Sequence, residues 1–145
     1  MPGTKSIRHI VEETLASYLS AQSGLSGVQI LTGDSNATQV QPKAIVLCDS
    51  ASSPADLPEG LGNFSCSVRV TLFSNADDTT LAQHRARCAS IYGNMNDLAS
   101  IQAAFVATGD ATAYDVTFRS EDEGVVERSW ATSFSYDVLT VLAPA

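Results

Sequence analysis

The stretch Val68–Ala86, VRVTLFSNADDTTLAQHRA, changes character partway along, and where it changes decides the fold. Val68, Val70 and Leu72 alternate with Arg69 and Thr71, the period of a strand with one dry face. Leu81, Arg85 and Cys88 then recur at helical spacing. Between them stand Asp77, Asp78, Thr79 and Thr80. A helix that begins near Asp77 presents free backbone N–H groups and a positive dipole end, which Asn75, Asp77 or Asp78 can satisfy. Adjacent side chains on a helix point about 100° apart, and no third carboxylate or histidine is placed to complete a metal shell. The two aspartates therefore read as caps. The helix is expected over about 77–93, ending at Gly93-Asn94.

Upstream, Phe64 and Cys66 extend the dry face to a strand of about ten residues, and Ser65, Ser67, Arg69 and Thr71 form the other face. Ser50–Gly62 (SASSPADLPEGLG) holds two prolines and two glycines and reads as a loop that is mobile or an interaction surface. Ala44–Asp49 (AIVLCD) reads as a central strand, Thr32–Pro42 as loop, and Gly27–Leu31 as a small strand. Nearer the N-terminus, Ile7, Ile10, Val11, Thr14, Leu15, Tyr18 and Leu19 form one helical stripe. That helix is expected over 5–22, capped by Thr4 or Ser6 and ended by Gly24.

Downstream, Leu98, Ile101 and Phe105 suggest a short helix over 97–105, broken by Gly109-Asp110. Tyr114, Val116 and Phe118 share one strand face, and Glu121–Gly124 (EDEG) reads as a hairpin turn. The last strand puts Val126, Trp130, Phe134, Tyr136 and Val138 on one parity, and its aromatic row Trp130, Phe134 and Tyr136 reads as core. The expected order is α-β-β-β-α-α-β-β in a single domain, 1–145. It is an α+β fold, a mostly antiparallel sheet with the N-terminal helix and a central helix packed on one face.

At 145 residues, 44% hydrophobic and 17% charged, the chain can bury an adequate core without a metal or disulfide. Its net charge of −8 and its eight scattered Lys and Arg argue against specific nucleic-acid binding, which draws on cations that displace counterions. A polybasic membrane patch and an apolar run of spanning length are both missing, and charges interrupt the N-terminal apolar pattern, so neither a membrane segment nor a signal peptide is expected. Cys48, Cys66 and Cys88 are odd in number, lie among apolar neighbours and read as reduced core thiols of a cytosolic protein. The sequons at Asn36 and Asn63 are then chance matches.

His9 and His84 lie on different helices among polar neighbours, and each is expected at the surface. His84 and Cys88, at i and i+4, can touch, but no orienting acid or oxyanion turn is evident, so they do not read as a nucleophilic pair. GxSxG and GxxxxGK[ST] patterns are absent. No catalytic, cofactor or metal site is expected. The Ser, Thr and Arg face of the strands in Phe64–Ser74 and Ser129–Asp137 carries little charge and suits contact with another protein.

The helix IRHIVEETLASYL, the loop-rich section after it, the strand FSCSVRVTLFS running into NADDTTLAQHRARCASIYGNM, and the closing strand VVERSWATSFSYDVLTVL follow one another in an order that resembles small tailed-bacteriophage proteins of the tail terminator and tail completion group. The likeness spans nearly the whole chain and is one of order and pattern. It implies a structural, non-enzymatic virion protein, assembled in the host cytoplasm. Six copies would form a ring that caps the tail tube, ends its polymerisation and meets the head connector. The implied partners are the chain itself, the tube protein and the connector protein. DNA would pass the acidic ring without binding. Contacts are expected from Thr32–Pro42, Ser50–Gly62 and the EDEG hairpin, with Asp56, Leu57, Glu59, Glu121, Asp122 and Glu123 as candidate residues. Other neck components and tube subunits are the near alternatives. A small enzyme using His84 or Cys88 and a cytosolic binding module are the distant ones.

Overall fold

The structure, a computed structural model, describes residues 5–33, 41–52 and 63–142. Its elements run α1 (Ile7–Ser20), a short 3-10 turn (Ser23–Leu25), β1 (Gln29–Thr32), β2 (Lys43–Ser52), β3 (Asn63–Asn75), α2 (Leu81–Met95), α3 (Leu98–Thr108), β4 (Ala111–Val126) and β5 (Ser129–Leu142). One five-stranded sheet has the order β1-β2-β3-β5-β4. Only β1 and β2 are parallel; the other three pairings are antiparallel. The α+β class and the element order are as the sequence leads one to expect.

The core lies between one sheet face and the helices. Cys66, Val68, Val70 and Leu72 of β3 face Phe134, Tyr136 and Val138 of β5, and all are buried. α1 sets Ile7, Ile10, Val11, Leu15 and Leu19 against them. Ser6 caps α1 through a bond from the His9 N–H, and the helix closes at Ala21, before Gly24, which sits inside the 3-10 turn. β1 pairs with β2 as far as Val46, and beyond it no strand among the described residues covers the outer backbone edge of β2. There α1 supplies partners: Glu12 accepts the Cys48 N–H at 2.8 Å and Arg8 donates to the Cys48 carbonyl at 2.9 Å. A buried peptide group is thus paired by side chains instead of a strand.

β2 runs three residues past the expected end. Ser50, Ala51 and Ser52 pair with Ser67, Cys66 and Ser65, after a bulge at Asp49. Their strand state comes from this pairing and not from any pattern of their own, as is usual for β structure.

The change from strand to helix falls later than the aspartates suggest. α2 begins at Leu81, and Thr80 is its cap: its hydroxyl accepts the Gln83 N–H at 3.1 Å while the Gln83 side chain accepts the Thr80 N–H at 2.9 Å. This reciprocal box satisfies two free donors at once, so the aspartates are not needed as caps. Instead they belong to a turn that Asn75 closes, its side chain taking the Asp77 N–H at 2.9 Å and its carbonyl the Thr79 N–H at 3.0 Å. Gly93 lies within α2, which ends at Met95 with Asn96 as its C-cap. α3 is capped by Asp97 and ended by Gly109 in the left-handed region, φ 73°.

The second correction concerns the hairpin. Glu121–Gly124 is not a turn but part of β4, paired with Phe134, Ser133, Thr132 and Ala131. The chain reverses at Glu127-Arg128, both at positive φ (49° and 66°). Two such residues make the tight loop whose twist matches a hairpin. β4 also carries two bulges, at Tyr114 and Arg119, so it is two residues longer than β5 along the same ladder. The face shared by Phe118 therefore continues into Glu121, Glu123 and Val125.

Candidate functional site

The Arg119 bulge has a chemical result. Without it, the even-numbered residues after Phe118 would face α2; with it, Glu121 and Glu123 do. On α2, His84, Cys88 and Tyr92 repeat every four residues along the facing side. A cleft of about 430 Å³ opens between them, lined by Arg85, Cys88, Ala89, Tyr92, Glu121 and Glu123.

At its inner end lies a chain of hydrogen bonds. Arg87 donates to the Ser74 hydroxyl at 3.0 Å. Ser74 Oγ is 2.8 Å from His84 Nδ1, and His84 Nε2 is 2.8 Å from Thr132 Oγ1. Thr132 donates to Glu123 Oε1 at 3.1 Å, and Arg85 donates to Glu123 Oε2 at 2.8 Å. The direction of these bonds assigns the tautomer. Thr132 spends its one proton on the carboxylate, so it accepts from His84 Nε2–H. With Nε2 carrying the proton and burial favouring the uncharged ring, Nδ1 is the acceptor, and Ser74, which accepts from Arg87, donates its proton to it. The histidine is neutral in this arrangement. Burial lowers its pKa, only partly countered by Glu123, with Arg87 and Arg85 adding to the fall. Arg85 holds Glu123 ionised, below the usual carboxylate range.

His84 is fully buried, contrary to the surface position expected of it. Its polar neighbours in sequence misled; its partners Ser74 and Thr132 come from two strands. His9 is at the surface, 2.8 Å from Glu13. The acid that the His84–Cys88 pair lacked in the sequence is Glu123, thirty-five positions beyond Cys88. Among the described residues, His84, Cys88 and Glu123 are a group able to hold a metal ion, their donor atoms all within 4.8 Å of one another. Cys88 is a thiol here: burial pushes its pKa up, with Glu121 and Glu123 adding to the rise and Thr132 opposing it. Close by, Phe118 stacks edge-on between Tyr92 and Tyr136 at centroid distances of 5.2 and 5.6 Å. Among the described residues the buried Tyr136 hydroxyl has no hydrogen-bond partner.

The contact residues expected from sequence divide. Asp56, Leu57 and Glu59 lie outside the described residues, as does most of Thr32–Pro42. Glu121, Asp122 and Glu123 are described, on the exposed outer half of β4. Their surroundings differ from those of the hairpin turn expected there, because Glu121 and Glu123 line the cleft. From Thr117 to Arg128 every residue is exposed, including Val125 at 62% and Val126 at 54%. The expected aromatic core holds for Phe134 and Tyr136, while Trp130 is half-buried and donates to the Thr79 carbonyl at 3.2 Å. The sheet face away from the helices is mixed: Arg69, Thr71 and Ser133 beside Ile45, Leu47 and Phe73 around a shallow hollow. A groove of about 680 Å³ runs between α1 and α3. Among the described residues no helix is long and apolar enough to cross a membrane. No protein-family model matches the chain, and no curated protein matches it.

Proposed function

We propose that the chain is a structural subunit of a tailed-bacteriophage particle, one that assembles into a six-membered ring, caps the tail tube, ends its polymerisation and joins the tail to the head connector. The observation that carries this reading is the outer hairpin of β4 and β5. It extends the sheet past Phe118 with every β4 residue exposed, and its end presents two valines to solvent. Apolar side chains held out on an ordered arm suit a surface that is covered on assembly. The order of elements supports it as well, since it resembles that of the tail terminator and completion group. The partners in this reading are further copies of the chain, the tube protein and the connector protein. The role is one of assembly and not catalysis, and the place is the virion. The net charge of −8 suits a ring whose lumen lets DNA pass.

The test is the native mass by light scattering over a wide concentration range. A discrete species near six times the 15.3 kDa chain, seen as an annulus by electron microscopy, is the expected result. Open-ended growth would favour a tube subunit instead. A monomer at every concentration would count against a self-assembling ring and turn the reading toward a connector component or a binding module.

A further inference from the structure

We propose that the inner end of the α2–β4 cleft binds one divalent transition-metal ion of the zinc type, held by His84 Nε2, Cys88 Sγ and a carboxylate oxygen of Glu123. The claim is independent of the oligomeric reading above. It rests first on geometry. His84 and Cys88 are one helical turn apart on the same face of α2, both buried, and β4 brings Glu123 opposite them. Their donor atoms lie within 4.8 Å of one another. Zn–S and Zn–N bonds of about 2.3 and 2.0 Å place the donors of a tetrahedral ion roughly 3.5 Å apart. The site must therefore contract by about 1 Å, within reach of a side-chain rotation of Glu123.

The donor set is the second argument. Imidazole, thiolate and carboxylate together suit zinc and its neighbours in the first transition row. Hard cations such as magnesium and calcium prefer oxygen alone. The outer partners are also in place. With an ion on Nε2, the histidine carries its proton on Nδ1 and donates it to Ser74 Oγ, which lies 2.8 Å away. Such a bond from the far ring nitrogen is the usual orienting contact of a metal-bound histidine. Arg85 fixes the other oxygen of Glu123 at 2.8 Å. Glu121, which lines the same cleft as Cys88 and Glu123, or a water can supply a fourth ligand.

Binding replaces two contacts of Thr132, the one with His84 and the one with Glu123. It also converts the Cys88 thiol to a thiolate, and that proton leaves to solvent. Affinity therefore weakens as pH falls. The bound ion would tie α2 to the outer half of β4.

The test uses the full chain, stripped of metal with a chelator and titrated with Zn²⁺ under native mass spectrometry and with Co²⁺ under optical absorption. One ion per chain is expected, together with a thiolate-to-cobalt charge-transfer band. Cys88→Ser should abolish that band, and Cys48→Ser should leave it, since Cys48 lies on β2 away from the cleft. Glu123→Gln should weaken zinc binding by at least about tenfold. Glu123→Gln changes an exposed residue and keeps the test open if Cys88→Ser does not fold. Failure to retain an ion at micromolar zinc, a cobalt spectrum without thiolate character, a band that survives Cys88→Ser, or unchanged zinc affinity in Glu123→Gln would each overturn the proposal.

Discussion

His84 and Thr132, forty-eight positions apart in the chain, meet through Nε2 and Oγ1 at 2.8 Å with both side chains buried. The contact joins α2 to β5 beneath the outer half of the sheet. It also transmits the charge of Glu123 to the imidazole through one hydroxyl. A single substitution can therefore separate the role of the hydrogen bond from that of the packing.

Thr132→Val keeps the shape and removes the hydroxyl. In the metal-free protein it leaves His84 Nε2 buried without a partner, a loss of about 1–3 kcal/mol. Urea unfolding should show a lower midpoint at unchanged slope. Thr132→Ser, which keeps the hydroxyl, should recover most of the loss. Equal stability of the Val variant and the parent would mean that the bond contributes nothing.

Thr80 and the aspartates before it can be ranked by stability. Thr80→Ala removes the cap of α2 and should cost about 1 kcal/mol. Asp77→Ala and Asp78→Ala should each stay within about 0.5 kcal/mol, as for exposed substitutions away from caps. Thermal or denaturant unfolding of the three variants decides it; the reverse ranking would restore the aspartates as caps.

Asp97 gives a pH prediction. Its carboxylate caps α3, accepting from the Ser100 hydroxyl at 2.7 Å and the Ser100 N–H at 3.2 Å. The Ser100 hydroxyl, then its backbone N–H, hold its pKa below the ordinary 3.8. A lowered carboxylate pKa means that the unfolded chain binds the proton more readily. The contribution is therefore complete above 3.8 and disappears as pH falls through the lower folded value. Asp97→Asn still caps but does not titrate. Its stability should fall less steeply than the parent's below pH 3.8, and unfolding curves at several acid pH values should show the two converging.

The reversal at Glu127-Arg128 stands on two non-glycine residues at positive φ. Left-handed backbone costs such residues roughly 1–2 kcal/mol each. Replacing the pair by Asn-Gly should raise stability by about 1 kcal/mol or more. Placing Asn-Gly at Asp122-Glu123 instead should not stabilise, since those residues are inside β4 and Glu123 is hydrogen-bonded there. The denaturation midpoints of the two variants report directly where the chain turns.

Alternation and helical spacing carried most of the architecture. Cys66, Val68, Val70 and Leu72 on β3, and the stripe from Ile7 to Leu19 on α1, announce their faces because each element buries one side only. β4 could not be read that way. Its two bulges change the parity at Tyr114 and again at Arg119, and nothing in the residues themselves marks an unpaired position in a ladder. The Gly in EDEG drew the turn five residues too early, because the actual loop lacks the glycine or asparagine that usually signals one. The same displacement concealed the cleft. The meeting of His84 with Glu123 depends on the register between α2, β4 and β5, and register is a tertiary property.

The sheet has two unequal edges, and this bears on symmetry. β1 offers four residues; β4 offers sixteen. A pairing of β4 with the β4 of another copy would be two-fold and would end at a dimer. In a register centred on Asp122 it would also set Glu121-Asp122-Glu123 of one chain beside the same acids of the other, along a strand already kinked twice. Kinks and charge of that kind keep a free edge from joining its own likeness. A ring must advance head to tail, with different patches meeting at each step. The bulges and acidic residues of this edge discourage its pairing with itself, as the proposed ring requires.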